Sequence, residues 1–406
     1  MHVYWFSPIR YDYLHQRPQK LVERFLAMNI PVTYVQPTGV RDLRSENSPI
    51  RLLFKSLWYH VLAFLSAVMP SVPRRKKPKE LRRPLSILSL PVTIPANQFN
   101  SRLLEALNAG VYRAFLHREI LCQRRTETTI AVFENPFWGR VLKGGEFDRI
   151  CYDCLDDVSI YAGHASLERF NAYEQNLLDM SDVVVTTAEK LHARLREKTS
   201  KPVHRIPNGV DADWFRTRAE ACGTPADLRR LARPIVGYVG SIASWLDYDL
   251  IREVARLMKE VSFVFVGPAE HQERVEQLCC SPNIHWLGRK PYEDVPAYIK
   301  GFDACMIPFR KGEIAETTNP VKVFEYFALG KPVVSTPLRE LKQYQREELV
   351  YTGDSPAAFA DALRRGLTEG GQDKQTARLG IAATHSWQTL ARSFLHALGA
   401  QEGDPT

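Results

Sequence analysis

NPVKVFEYFALGKPVVST, residues 319–336, is the stretch that decides the fold. Its first two residues, Asn319 and Pro320, precede apolar residues at helical spacing. Asparagine can cap a helix, and proline at the first helical position gives up no hydrogen bond, so this pair predicts a helix start. Gly330 then ends the helix, and PVVST has the composition of a buried strand. The stretch therefore predicts a helix followed by a strand, the repeating unit of an α/β protein.

Apolar strands and amphipathic helices alternate along most of the chain, which is typical of parallel sheets with helices on both faces. In the first half we predict a helix over Pro18–Met28 and strands over His2–Phe6, Pro31–Val35, Ile130–Phe133, Arg149–Tyr152, Val183–Thr186 and His204–Ile206. In the second half we predict helices over Tyr248–Lys259 and Val295–Lys300, and strands over Ile235–Val239, Val261–Val266, Ile284–Leu287, Ala304–Ile307 and Pro332–Ser335. The predicted fold class is α/β, with two doubly wound domains of Rossmann-like type.

Chain length sets the number of domains. The 406 residues exceed what one ordinary core organises, so two domains are expected. The turn IPNGVD at residues 206–211 contains an Asn-Gly pair suited to positive φ, which indicates a hinge. We predict an N-terminal domain over residues 1–212 and a C-terminal domain over 213–385. A final helix over 386–398 is expected to pack back on the first domain.

Composition and charge indicate a globular protein with an anionic partner. The chain is 45% hydrophobic and 25% charged, which excludes disordered and low-complexity classes. Its net charge of +8 suits a nucleotide diphosphate, an acidic membrane surface or a nucleic acid, and charge alone does not choose among them. The seven cysteines lack a paired zinc spacing, and we expect them to be reduced in a cytoplasmic protein. The N-terminus has no signal-peptide pattern, and no long uncharged apolar run predicts a membrane-spanning helix.

One segment, residues 52–83, combines an apolar stripe with a basic run. Apolar residues recur at helical spacing between Leu52 and Met69, and PSVPRRKKPKELRRP follows. A helix lying at the lipid headgroups beside a cationic run would have this composition, and so would a core helix followed by a solvated loop. We favour contact with an anionic membrane surface, which would make the protein peripheral on the inner face of the cytoplasmic membrane.

The predicted helix start at Asn319 offers groups that suit a diphosphate. Lys322 adds a positive charge in the first turn, beside unpaired backbone N–H groups. Glu325, three residues further on, could accept two hydrogen bonds from the vicinal hydroxyls of a ribose. The alternative is an ordinary helix with a Lys322–Glu325 surface pair.

Resemblance to a known family bears on this choice. The stretch resembles the donor-binding motif of retaining GT-B glycosyltransferases of family four, a Glu-x7-Glu pattern that opens a helix. IPNGVDADWF and GYVGSIASW are similar to that family's interdomain strand and first C-terminal loop. By position, the resemblance implies that Glu325 binds the ribose of the donor, and that Thr318, Asn319 and Pro320 lie near its phosphates and sugar.

The sequence departs from this family pattern at two positions. The first glutamate of the motif falls on Thr317, with Glu316 one residue out of register. Trp245 stands where many members carry a phosphate-binding lysine, so Lys322 or two arginines would have to supply the positive charge. These candidates are Arg289 and Arg310, each of which could instead form a surface ion pair. Backbone and side-chain groups after a strand complete the predicted donor site, namely Gly240 and Ser241, although Ser241 could simply cap the next segment.

Polar residues follow two predicted strands of the N-terminal domain, at the edge where ligands of parallel sheets bind. After the first strand come His15 and Arg17, and Arg17 is a candidate for a phosphate contact or for an ion pair at the helix start. After a later strand comes YDCLDD, which resembles a subgroup of bacterial cell-surface polysaccharide transferases. Its carboxylates, Asp156 and Asp157, could serve acid–base or acceptor-hydroxyl roles, or cap the following helix. We also name His164 as an acceptor candidate.

The resemblance implies a GT-B enzyme that moves a sugar from a nucleotide sugar to a glycan or lipid-linked acceptor with retention of configuration. Such enzymes need no cofactor, and we expect no metal, because helix ends and basic side chains stabilise the departing diphosphate. The alternatives are a nucleotide-sugar epimerase of the same fold and a non-catalytic nucleotide-binding protein. A nucleic-acid partner is not expected, since no interleaved aromatic and basic motif occurs.

Overall fold

The computed structural model describes residues 1–12, 15–37, 84–91, 101–121, 127–159 and 166–399. These residues form two compact units. The first contains residues 1–187, 191–206 and those from 391 onward, and the second contains residues 188–190 and 207–390. The segment 52–83 and His164, both named in the sequence analysis, lie outside the described residues.

A parallel seven-stranded sheet forms the centre of the first unit, with strand order β3-β2-β1-β4-β5-β6-β7. Its strands are β1 His2–Phe6, β2 Val32–Gln36, β3 Leu85–Ser89, β4 Thr129–Phe133, β5 Arg149–Cys154, β6 Val183–Thr186 and β7 Val203–Arg205. Its helices are α1 Arg17–Ala27, α2 Arg102–Leu116, α3 Trp138–Val141, α4 Leu167–Met180 and α5 Glu189–Lys198. A π-helical turn, His117–Leu121, directly extends α2.

A parallel six-stranded sheet forms the centre of the second unit, with strand order β10-β9-β8-β11-β12-β13. Its strands are β8 Ile235–Val239, β9 Ser262–Val266, β10 Ile284–Trp286, β11 Ala304–Ile307, β12 Val333–Ser335 and β13 Val350–Thr352. Its helices are α6 Ala212–Ala221, α7 Ala226–Arg229, α8 Tyr248–Leu257, α9 Gln272–Leu278, α10 Val295–Gly301, α11 Glu313–Thr317, α12 Val321–Phe327, α13 Lys342–Arg346, α14 Pro356–Leu367 and α15 Gln372–Thr384. The last helix, α16, spans Trp387–Ala397, and its residues from Ala391 onward cluster with the first unit.

Burial explains why the predicted strands form. Every residue of the central strands β1, β4, β8 and β11 is buried, as expected for strands covered by helices on both faces. Two edge strands were not predicted from the sequence. β3 has no fully buried residue, and only two residues of β13 are buried, so neither has the continuous apolar run of a central strand.

Two further observations bear on the sequence analysis. The described cysteines, six of the seven, all carry free thiols. Within the described ranges, no helix has both the length and the apolar character needed to cross a bilayer.

Candidate active site

Three glycines follow neighbouring strands of the second sheet at their carboxyl ends. Gly240 follows β8, Gly267 follows β9 and Gly288 comes shortly after β10, with φ of +136°, +146° and +71° respectively. The N–H of Gly240 donates to the carbonyl of Val266 at 2.9 Å, and the N–H of Gly267 donates to that of Gly288 at 2.9 Å. A Cβ on Gly267 would overlap the carbonyl oxygen of Gly240. The close approach of the loops after β8 and β9 therefore requires glycine at residue 267, and the positive φ of all three residues favours glycine.

Lys322, in the first turn of α12, lies beside the Gly240 loop. A Cβ on Gly240 would be 3.1 Å from Cε and 3.3 Å from Nζ of Lys322. The ammonium also lies 5.2 Å from the ring centroid of Tyr238 and 5.2 Å from that of Phe309. Among the described residues, no carboxylate lies within ion-pair distance of Nζ, so the structure does not show the alternative arrangement, a Lys322–Glu325 surface pair. The aromatic faces hold the cation at the carboxyl edge of the sheet.

Asn319 does not cap α12, so that prediction is wrong. Its Oδ1 accepts the N–H of Asn208 at 3.0 Å, and its Nδ2 donates to Oε2 of Glu340 at 3.0 Å. The Asn208 carboxamide donates to the Asn319 carbonyl at 2.7 Å. Because these contacts occupy the Asn319 side chain, Pro320 takes the cap position and the helix begins at Val321. Asn319 instead fastens the 206–211 turn to the motif.

Thr317 stands at the position of the first glutamate in the family pattern. Thr317 is 2% exposed, and its hydroxyl donates to the Glu313 carbonyl at 2.8 Å. The neighbouring Glu316 is partly exposed, as is Glu325 near the end of α12. Thr318 lies in the short connection between α11 and α12, at the carboxyl-terminal side of Thr317. A carboxylate at the first motif position is therefore replaced by a buried hydroxyl that is already bonded.

The other predicted donor residues lie in loops at the same edge of the sheet. The Ser241 carbonyl accepts the Tyr238 hydroxyl at 2.9 Å, which fixes the loop after β8. The Arg310 N–H donates to the Trp245 carbonyl at 2.8 Å, so the loops after β8 and β11 are joined. The side chains of Arg289 and Arg310 are exposed, and Arg310 has no ion pair among the described residues. The second unit thus places three basic side chains in or beside the loops at this edge.

In the first unit, Arg17 forms a buried ion pair. Arg17 is 3% exposed. Its Nε and Nη2 donate to the two carboxylate oxygens of Asp153 at 3.1 and 3.2 Å. Nη1 donates to the Ile206 carbonyl at 3.0 Å. Of the two roles considered from the sequence, the ion pair is the one that the structure shows. Arg17 therefore ties the start of α1 to the carboxyl ends of β5 and β7.

Glu134 is a buried carboxyl that the sequence analysis missed. It directly follows β4, is 0% exposed, and accepts the Trp5 indole N–H at 2.8 Å through Oε1. Its Oε2 is buried without a hydrogen-bond partner. Burial, and next the charge of Asp153, raise the pKa of Glu134 to about 8. The signal in the sequence was an acidic residue directly after the apolar run TIAVF.

The Asp156–Asp157 pair follows β5, at the carboxyl edge of the first sheet. Burial and then the neighbouring Asp157 raise the pKa of Asp156 to about 6, which suits exchange of a proton near neutral pH. Asp157 accepts the Ser159 N–H at 3.0 Å and lies 3.6 Å from Nε of Arg194. The two carboxylates thus have different surroundings, and Asp157 helps to form the local turn. His15 lies 3.4 Å from a carboxylate oxygen of Glu23.

Comparisons with known proteins bear on these two edges. Residues 233–369 match the family described as Glycosyl transferases group 1. A Bacillus subtilis (strain 168) protein named "Putative teichuronic acid biosynthesis glycosyltransferase TuaH" is 27% identical over 272 residues, covering 63% of this chain and 68% of that protein.

Solved structures of similar fold bear on the fold class. Sucrose-phosphate synthase from Thermosynechococcus elongatus has a TM-score of 0.67 at 16% identity, covering 97% of each chain. A structure described as "Trehalose-6-phosphate from E. coli bound with UDP-2-fluoro glucose" has a TM-score of 0.66 at 10% identity, covering 98% of this chain and 99% of that one. The predicted GT-B fold is confirmed by this likeness. The family match over residues 233–369 and the curated relative together support a glycosyltransferase.

Proposed function

We propose that the protein transfers a sugar from a nucleotide-sugar donor to a glycan or lipid-linked saccharide, with retention of configuration, in the assembly of a cell-surface polysaccharide. The observation that carries this proposal is the position of Lys322 beside the Gly240 loop, inside the group 1 domain. Two comparisons agree with it: the E. coli neighbour was solved with UDP-2-fluoro glucose, and the B. subtilis relative is named for teichuronic acid biosynthesis.

The donor would bind at the carboxyl edge of the second sheet. Backbone at Gly240 can approach a diphosphate closely because no side chain intervenes, and the Lys322 ammonium lies next to it. Glu325 would accept hydrogen bonds from the ribose hydroxyls, and Arg310 would add positive charge as the diphosphate leaves. The diphosphate needs this charge because negative charge develops on it as the bond to the sugar breaks. Transfer without a metal is part of the proposal.

Transfer would break the bond between the anomeric carbon and the diphosphate oxygen, and form a bond from the acceptor oxygen to the same face of that carbon. The electron pair of the broken bond stays on the diphosphate. The proton of the acceptor hydroxyl passes to the departing phosphate oxygen. Asp156 and Asp157 would orient the acceptor hydroxyl, and the raised pKa of Asp156 allows it to hold a proton below about pH 6.

Substitution of the donor residues tests the proposal. Nucleotide sugars carrying UDP, GDP, dTDP and CMP are incubated with the full chain and a membrane extract as acceptor source, and sugar incorporation is measured. We expect Lys322→Ala and Glu325→Ala each to lower transfer by ~100-fold or more, because each removes a contact to the donor. Lys342→Ala, an exposed lysine at the start of α13, is the control and should transfer normally.

Near-normal transfer by both donor-site variants would remove the site assignment. Conversion of the donor without any acceptor would identify an epimerase, and binding without turnover would identify a nucleotide-binding protein. The anomeric configuration of the product, read by NMR, tests retention, and a chelator should leave the rate unchanged.

We further propose that residues 52–83 hold the protein on the cytoplasmic face of an anionic membrane, where a lipid-linked acceptor would be presented. The apolar stripe and the adjacent basic run support this, since each basic residue near an anionic surface contributes up to ~1 kcal/mol. Deleting Leu52 to Arg83 should abolish co-sedimentation with phosphatidylglycerol vesicles. Undiminished sedimentation would rule the segment out.

A further inference from the structure

A cavity of about 430 Å³ lies at one edge of the first sheet. It is lined by residues of the edge strand β7, of the residue after it and of α16, namely His204, Arg205, Ile206, Arg392, Ser393 and His396. We call it the edge cavity. All six residues belong to the first unit, and one strand, β6, lies between β7 and β5, the strand that Asp156 follows.

The side chains that line the edge cavity are basic or neutral. Arg205 and Arg392 contribute two guanidinium groups, His204 and His396 contribute two imidazoles, and no carboxylate is among the lining residues. Arg205 has no ion pair with any carboxylate of the described residues. Arg205 and Arg392 place two guanidinium charges at one concave surface, and such a local excess of positive charge favours an anionic ligand.

Helix α5 extends the same positive field. Its His192 lies close enough to Arg196, Arg205 and His204 for their charges to act on it; burial and then these charges lower the pKa of His192. The Nδ1 of His192 is buried without a hydrogen-bond partner. Arg196 is exposed and has no ion pair among the described residues. Strand β7 and helix α5 thus place basic groups close to one another.

We propose that the edge cavity binds a phosphate ester of about monosaccharide size, at a site separate from the donor site. A guanidinium fork matches the oxygens of a phosphate, and several cationic groups favour a dianion over a single carboxylate. The volume lies within the range of small-ligand sites. The phosphate ester could come from a soluble sugar phosphate or from a phospholipid headgroup, since both present the same chemistry.

Calorimetric titration of the full chain with inorganic phosphate and with glucose 1-phosphate tests this site. The variant is Arg205→Gln with Arg392→Gln, and the control is Arg229→Gln with Arg230→Gln, which removes the same charge from two exposed arginines of the second unit. We expect the first variant to weaken binding by tenfold or more, because each charge-assisted bond to phosphate contributes strongly. The control variant should bind like the wild type.

Vesicles of phosphatidylglycerol separate the two sources. If the double variant Arg205→Gln, Arg392→Gln alone loses sedimentation with the vesicles, the site is supported and its ligand is a phospholipid headgroup. If the same double variant loses calorimetric binding, the site is supported and its ligand is a soluble phosphate ester. Equal behaviour of that variant and the wild type toward every probe would overturn the proposal. NMR titration of the histidine rings gives a second readout: added glucose 1-phosphate should raise the pKa of His192, and an unchanged value would count against the site. The donor-site proposal is untouched by either failure, since its variants are measured separately.

Discussion

At the scale of single residues, the first unit holds two carboxyls and one cation in a buried cluster. Arg17 is bonded to both oxygens of Asp153, and Glu134 accepts the neutral Trp5 indole N–H through Oε1. An ionised Glu134 would therefore be a second buried negative charge without its own counterion, which is costly. The pKa of Glu134, about 8, means that this carboxyl keeps its proton at neutral pH.

Replacing Glu134 with glutamine tests this protonation state. The folded pKa of about 8 lies above the ordinary value of 4.5, so between these pH values the folded protein keeps a proton that the unfolded chain releases. The contribution of Glu134 to the free energy of unfolding is fully present below about pH 4.5. It falls by up to ~1.4 kcal/mol per pH unit as the pH rises toward 8. Glu134→Gln should remove that part of the loss.

The melting temperatures at pH 5.5 and pH 8 give the measurement. We expect a smaller decrease in Glu134→Gln than in the wild type, while Glu197→Gln, which changes an exposed glutamate of α5, keeps the wild-type decrease. An identical decrease in all three proteins would show that Glu134 is ionised in the folded state.

The sequence predicts some of these residues and not others. Arg17 was identified because it follows the first strand, at the edge where parallel sheets bind ligands. Its partner Asp153 is 136 residues away, and their contact depends on the strand order, which the sequence pattern does not specify. Glu134 was missed for the same reason, because its burial results from neighbours on separate strands.

At the scale of elements, the loops after β8 and β9 must approach each other for the donor site to form. Gly267 has φ of +146°, and a Cβ there would overlap the Gly240 carbonyl. The Gly240 loop is in turn the one beside Lys322. Backbone geometry at Gly267 therefore determines where the proposed phosphate-binding loop lies.

Gly267→Ala should lower both stability and donor affinity. The added methyl group must displace the Gly240 loop, and the residue would keep a φ that other residues rarely adopt. Gly380→Ala in α15 is the control, since a Cβ at that position meets nothing within 4 Å and alanine favours a helix by ~1 kcal/mol. Thermal melting and titration with a nucleoside diphosphate measure the two effects.

A Gly267→Ala protein with wild-type melting temperature and affinity would show that the loops tolerate the side chain. Loss of stability with unchanged affinity would separate the packing role of Gly267 from the donor site.

Central elements were predicted well and element ends less so. The strands at the middle of each sheet have continuous apolar sequences because helices cover both their faces. The edge strand β3 and the short β13 lack this signal. The cap of α12 was misassigned because Asn319 bonds to Asn208 and Glu340, which are distant in sequence and compete with the helix for its side chain.

At the scale of the whole molecule, the α/β class and the two-sheet organisation follow from the repeated alternation of strands and helices. The group 1 match covers only residues 233–369, and the proposed donor site at Gly240, Lys322 and Glu325 lies inside that range. The family match does not include Asp156 of the first unit. Its proposed acceptor role therefore depends on its surroundings in the structure and on the resemblance of the sequence around it. The identity of the sugar is least specified by the sequence, because buried Thr317 stands where the family motif has a glutamate.

Hydrogen exchange of the full chain, followed by mass spectrometry with and without a saturating nucleoside diphosphate, tests most directly where the donor binds. Bound ligand slows the opening of the backbone that it contacts. Slower exchange in peptides covering residues 237–245 and 317–325, with residues 7–17 unchanged, is the expected result. Protection confined to the first unit, or none in the second at saturating nucleotide, would contradict a donor site formed by the Gly240 loop and Lys322.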